Sequence, residues 1–209
     1  MNDVKLIKIR EEILADNRGL ADKIRERLAA RRTLLLNLMA SPGGGKTSLI
    51  LRTIEALGSE CSIAVIEADL DSTVDSDRVA ETGVKAIQIE TGGFCHVDAA
   101  MVDRALEVVD LDSTDIVLIE NVGNLVCPAQ SDTGAHANVV ILSVPEGDDK
   151  PLKYPTMFTV ADAIVVNKLD YTAVTDFDLD AFRERVRPLN PDVPVFELSC
   201  KTGAGLDSW

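Results

Sequence analysis

From residue 34 onward, short apolar runs alternate with segments whose apolar positions recur every three to four residues. The runs "TLLLNLMA", "CSIAVIEADL", "VKAIQIE", "DIVLIENV", "NVVILSV", "DAIVVNKLD" and "VPVFELSC" are almost uninterrupted, the pattern of strands covered on both faces. Between them, "TSLILRTIEAL", "AAMVDRALEVV" and "FDLDAFRERVRPL" carry helical periodicity. Strands and helices in alternation predict an α/β fold, a three-layer α/β/α domain with a mostly parallel sheet. Ahead of it, residues about 8 to 32 place Ile13, Leu20, Ile24 and Leu28 on one face among charges, which predicts a covering helix. The chain therefore divides into an N-terminal helical extension (1–33) and a single globular domain (34–209), without internal repeat or flexible linker. The closing "GAGLDSW" reads as the start of a helix cut short.

Composition narrows the function classes. With 209 residues, 46% hydrophobic and 27% charged, one sizeable core is expected. No apolar run approaches the roughly 20 residues of a membrane helix, and "MNDVKLIKIREEILAD" lacks the apolar block and cleavage site of a signal peptide, so the expected location is cytoplasmic, with no membrane partner. The net charge of −14 and the lack of a basic stripe speak against nucleic acid. Four cysteines in a reducing compartment argue against a disulfide framework and turn attention to metal or redox chemistry.

The clearest chemistry lies where "TLLLNLMA" runs into "SPGGGKTSLI". A glycine-rich turn between strand and helix lets backbone N–H groups wrap phosphates, with a lysine for the β and γ phosphates and a hydroxyl for Mg²⁺. Gly43, Gly44, Gly45, Lys46, Thr47 and Ser48 are the residues of this P-loop, although Ala40 stands where the usual pattern begins with glycine. Further on, Asn167, Lys168 and Asp170 form N-K-x-D at a strand end. The Asp170 carboxylate is suited to guanine N1 and the exocyclic amine, a donor pair that adenine lacks. "SCKTG", from Ser199 through Cys200 and Lys201, resembles the loop whose backbone meets guanine O6, with Cys200 in the alanine place. GTP and GDP are the expected ligands.

Two acidic strand ends lie between these motifs. Carboxylates at the C-terminal ends of parallel strands face the ligand crevice, which makes Asp69, Asp75 and Glu120 candidates for magnesium or for the attacking water. Asp71 and Asp77 read more simply as a solvated acidic loop. Glu120-Asn-Val-Gly stands where ordinary GTPases carry D-x-x-G, and no glutamine follows it. The expected mechanism is in-line attack of water on the γ-phosphate. Lys46 and Mg²⁺ would stabilise charge and Asp75 would orient the water, with slow intrinsic turnover.

One of only two histidines, His96, sits directly beside Cys95 in "TGGFCHVDAAMV", and Cys127 follows Glu120 in "ENVGNLVCPA". Two thiolates and an imidazole are a soft donor set for Ni²⁺ or Zn²⁺; two buried cysteines with a hydrogen-bonded histidine is the competing reading. Three ligands per chain leave a site that a symmetric dimer could complete. Cys61, opening an apolar strand, reads as plain core.

"TGGFCHVDAAMV", "ENVGNLVCPA" and "SVPEGDDKPLKYPTMF" together resemble the signatures of the hydrogenase nickel-incorporation GTPases, the HypB family, over about Asn37 to Trp209. The resemblance implies a P-loop GTPase that forms a homodimer on GTP binding and assists nickel delivery to the hydrogenase large-subunit precursor, working with a HypA-like chaperone. By motif it implies a metal site at Cys95, His96 and Cys127, and it places Lys150 and Lys153 near the nucleotide or the dimer interface, with solvated lysines as the alternative. Met1 to Leu36 contains neither Cys nor His, so the nickel-storage tract of some members is not expected. A UreG-like urease accessory GTPase, a nucleotide switch without a metal role, and a small-molecule kinase using ATP are the rival readings. The adjacency of Cys95 and His96, without an intervening proline, disfavours the first, and N-K-x-D disfavours the last.

Overall fold

The computed structural model describes residues 3–69 and 74–209, with side chains from 16 to 68 and from 75 to 209. Its seven strands are β1 (Leu34–Ala40), β2 (Ile63–Asp69), β3 (Lys85–Glu90), β4 (Ile116–Glu120), β5 (Ala137–Ser143), β6 (Ala163–Asn167) and β7 (Val195–Glu197). They form one sheet in the order β3-β2-β4-β1-β5-β6-β7, and every pairing is parallel. Alternation along β1 shows why these segments read as unbroken apolar runs. Leu35 and Met39 pack on one face of the sheet, while Leu38 and Ala40 pack on the other, and all four are buried.

The helices are α1 (Asp3–Arg31), α2 (Lys46–Leu57), α3 (Val74–Ala80), α4 (Ala99–Leu106), α5 (Lys150–Lys153), α6 (Pro155–Thr159) and α7 (Leu179–Val186). Leu49, Ile50 and Ile54 of α2 bury against Leu38, Val65 and Leu118. On the opposite face, α1 and α4 cover Leu35, Ile66, Val117 and Ile119, and Phe158 of α6 with Phe182 of α7 cover Val140, Leu142 and Val166. The covering helix begins at Asp3, earlier than its apolar spacing suggested, since neither proline nor glycine interrupts the stretch before Asp16. Ile24 and Leu28 are essentially inaccessible and Leu20 packs beside them, each full burial being worth about 2 kcal/mol; the side chain of Ile13 lies outside the described residues. This helix is an integral part of the fold.

The C-terminal segment differs from its sequence reading. Residues 204–208 form turns, because Gly205 adopts a φ of 76° and a β-carbon there would overlap the carbonyl of Glu197. Trp209 packs edge-on against Phe196, and its indole N–H donates to Thr53 Oγ1 at 2.9 Å. Among the described residues no helix is long and apolar enough to cross a membrane.

Candidate nucleotide and metal sites

The sheet order places β1 between β4 and β5, so the crevice opens at the C-terminal end of β1, where connections diverge to either side. There the chain turns through residues 42–45, and α2 starts at Lys46. Gly45, the residue before the helix, has a φ of 101°, and any β-carbon on it would overlap the carboxamide of Asn167. Lys46 and Thr47 are buried at the helix start and Ser48 is half-buried. A cleft of about 480 Å³ lies over these residues, bordered also by Glu67, Asp75, Glu120 and Lys168.

The two loops assigned to the base meet each other and the phosphate turn. Asn167 is buried at the end of β6. Its side chain donates to the Gly44 carbonyl at 3.3 Å and accepts from the backbone N–H groups of Lys168 at 2.7 Å and Cys200 at 3.2 Å. Lys168, in the left-handed region with φ 63°, donates from Nζ to the Gly43 carbonyl at 2.8 Å. Asp170 accepts from Ser199 Oγ at 2.6 Å, with Lys201 Nζ 3.8 Å from its other oxygen. Burial pushes the Cys200 thiol up to about 11, which keeps it neutral and suits a small packing residue. Asn167 therefore ties the N-K-x-D and "SCKTG" loops to the glycine turn before α2.

The acidic residues separate into distinct environments. Glu120, at the end of β4, accepts from Thr47 Oγ1 at 3.0 Å and lies 3.8 Å from Lys46 Nζ. Opposite it in the β2–β4 register stands Glu67, a residue that the sequence reading passed over; both are buried. Burial, reinforced by the Glu120 charge, pushes Glu67 up to about 9, and burial also raises Glu120, against the pull of Lys46. Glu67 Oε1 and Glu120 Oε2 are buried oxygens without a donor, an arrangement that calls for a shared proton or a cation. Hard oxygen donors beside a P-loop hydroxyl fit Mg²⁺. Asp75 occupies the first turn of α3 on the rim of the cleft, about half exposed and 3.4 Å from Arg78. Asp77 is exposed on the same turn. Asp69 closes β2, paired in register with Glu90, and its side chain lies outside the described residues, as does Asp71.

Cys95, His96 and Cys127 converge although 31 residues separate the histidine from the second cysteine, as their numbering shows. One ligand atom from each lies within 4.8 Å of the others. Cys95 Sγ is 3.9 Å from His96 Nδ1, and the two sulfurs are joined as a disulfide pair with Cα atoms 6.1 Å apart. This corrects the expectation that the cysteines stay unpaired: the loops after β3 and β4 bring the two thiols into bonding reach although β2 lies between those strands. In reduced form the same sulfurs, with His96, offer the donor types that a soft metal ion takes. Cys61 is free, half-buried and packed at the edge of the α2-side core.

Asparagines and a glutamate absent from the sequence reading hold this arrangement. Asn121 is fully buried; its Oδ1 accepts from Val97 N at 3.2 Å and its Nδ2 donates to Asn37 Oδ1 at 2.9 Å. Asn124 donates its backbone N–H to Ala40 O at 2.8 Å and accepts from Val126 N and Cys127 N at 2.7 and 3.3 Å. Glu146 accepts from Ser41 Oγ, and from Ser143 N and Oγ. Asp98 caps α4, accepting from Met101 N at 2.9 Å. Lys150 and Lys153 stay on the surface of α5, Lys150 over the Tyr154 ring and Lys153 2.5 Å from Asp149.

Comparison with known proteins gives the family. A family profile described as "CobW/HypB/UreG, nucleotide-binding domain" matches residues 34–197. The hydrogenase maturation factor HypB of Azotobacter vinelandii is 46% identical over all of this chain and 69% of its own length. Among solved structures, HypB of Archaeoglobus fulgidus superposes with a TM-score of 0.87 at 42% identity, covering 94% of this chain and 96% of that one. HypB of Helicobacter pylori, described as a complex with nickel, gives 0.86 at 41% identity, covering 92% and 91%. The chain belongs to the HypB family of hydrogenase maturation factors, GTPases of the CobW/HypB/UreG nucleotide-binding group.

Proposed function

We propose that this GTPase serves nickel insertion into [NiFe] hydrogenase by joining GTP hydrolysis at the P-loop to a nickel or zinc ion held by Cys95, His96 and Cys127. The observation that carries the reading is continuity. Glu120, against Thr47 and Lys46, begins the seven-residue segment that ends one residue before Cys127, so phosphate chemistry and ligand loop share one stretch of chain. The nickel-bound relative from Helicobacter pylori supports nickel as cargo.

In this reading Gly43 to Ser48 hold the phosphates and Asn167, Lys168, Asp170 and Ser199 to Lys201 hold guanine. Mg²⁺, bound by Thr47 and facing Glu120, would neutralise charge on the phosphate oxygens. Lys46 stabilises the γ-phosphate, and Asp75, on the rim of the cleft, orients the water. GTP-dependent homodimerisation would complete the soft site, since one chain offers three donors. The exposed side chains of Phe94 and Val126, next to Cys95 and Cys127, support a second copy there. A HypA-like chaperone and the hydrogenase large-subunit precursor are the proposed partners.

The test joins metal titration of the reduced protein with GTP turnover. Ni²⁺ binding abolished in Cys95→Ala and in Cys127→Ala, with GTP affinity kept, is the expected result. Metal affinity untouched by both changes would leave a nucleotide switch without a metal role. Wild-type turnover in Asp75→Ala would remove that residue from the mechanism.

A further inference from the structure

Cys95 follows β3 and Cys127 follows β4, strands that the sheet order β3-β2-β4 separates by one neighbour. Two strand spacings of about 4.8 Å therefore lie between their ends, and sheet pairing does not bring the ligand loops together. A single side chain on α1 touches both. Asn17 Oδ1 accepts the backbone N–H of Ala99 at 3.0 Å, three residues beyond His96, and Asn17 Nδ2 donates to the carbonyl of Asp132 at 2.8 Å, five residues beyond Cys127. A backbone donor on one side and a backbone acceptor on the other fix the orientation of the carboxamide.

The rest of α1 grips the same two segments. Arg27 pairs with Asp103 of α4 at 2.9 Å. Arg25 pairs with Asp132 at 2.5 Å and donates from Nε to the Ala135 carbonyl at 3.1 Å. Gly134 lies so close to the helix that a β-carbon there would come within 2.9 Å of Ile24. These contacts run along one side of α1 and join the α4 side of the cluster to the Cys127 side.

We propose that α1 clamps the Cys95–His96–Cys127 cluster and that Asn17, bonded at once to Ala99 and Asp132, positions the two ligand loops from the α1 side, beside the tie that Asn121 makes to Val97. The inference rests on the metal reading above. Soft-metal bonds of about 2.0 to 2.3 Å require the three donors to stay within about 4 Å of one another, so loops released from a common tie bind less tightly. Outer residues that orient metal ligands are worth 10-fold to 100-fold in affinity. Asn17, which touches no ligand directly, is assigned the lower end.

The experiment is competition of Ni²⁺ and Zn²⁺ against a chromophoric chelator, using reduced full-length protein, with Co²⁺ spectra as a report on site geometry. Asn17→Ala is expected to bind about tenfold more weakly, with shifted Co²⁺ ligand-field and thiolate charge-transfer bands. Its GTP affinity should match that of Arg31→Ala, which removes only exposed contacts of α1, to Asp112 and to the Arg27 carbonyl. Asn17→Asp keeps the acceptor for Ala99 and loses the donor for Asp132, and falls between wild type and Asn17→Ala. Wild-type metal affinity and spectra in Asn17→Ala would overturn the clamp while leaving the metal site intact. Wild-type protein whose metal uptake is the same in Cys95→Ala would overturn the metal reading, and the clamp with it.

Discussion

Glu67 stands in an environment far from its ordinary chemistry. Its carboxyl, usually near 4.5, is pushed up to about 9 by burial and by Glu120. Between those values the folded, metal-free protein holds a proton that the unfolded chain releases. The folded state then binds more protons, so this residue's contribution to stability falls as pH rises across the window. Glu67→Gln keeps the neutral shape without the titration. Urea unfolding from pH 5 to 9 should show the variant gaining on wild type as pH rises, and parallel curves would refute the buried proton. Added Mg²⁺ and GDP should shrink that gain, because a cation stabilises the carboxylate. Asp170 allows a second prediction at this scale. A carboxylate accepting from guanine contributes about 1.5 to 3 kcal/mol, so Asp170→Ala should weaken GTP binding by one to two orders of magnitude. An equal loss for ATP would show that the effect is on the fold and not on the base.

At the scale of elements, α4 links helix capping to the cluster. Asp98 accepts from Met101 N and stands two residues after His96. Asp98→Ala should cost about 1 kcal/mol of stability, read as a lower urea midpoint with an unchanged m-value. The strands and the larger helices were legible because both faces of the sheet are covered, so each buried strand is a continuous apolar run. The P-loop and N-K-x-D were legible because close backbone approach restricts their residue types. Glu67 was not, because its meaning depends on β2 lying beside β4 in a register that sets it against Glu120. A glutamate inside "AVIEAD" carries no sign of that neighbour. Asn17 and Asn121 are hidden for the same reason: their partners lie 82 and 24 residues away, and isolated asparagines have no periodic signal. The final residues misled because helical composition after Gly203 and Gly205 is overruled by positive φ at both glycines.

At the scale of the whole molecule, charge and cluster oppose one another. Each chain carries a formal charge of −14, so two copies repel at long range, while in the proposed dimer the shared Cys95–His96–Cys127 cluster and the exposed Phe94 and Val126 would favour their approach. Raising ionic strength from about 0.01 to 0.15 M shortens the screening length from about 30 to 8 Å, which removes most of the repulsion and strengthens apolar contact slightly. The dimer formed with a non-hydrolysable GTP analogue should therefore tighten with added NaCl, opposite to an association driven by complementary charges. Phe94→Asp removes apolar surface and adds a charge to each copy beside the shared site. It should weaken the dimer most at low salt, with the deficit partly recovered at high salt. Sedimentation velocity across a salt series, with wild type and Phe94→Asp side by side, measures both effects. A dimer that loosens as salt rises, or one indifferent to Phe94→Asp, would place the interface away from the Cys95–His96–Cys127 face.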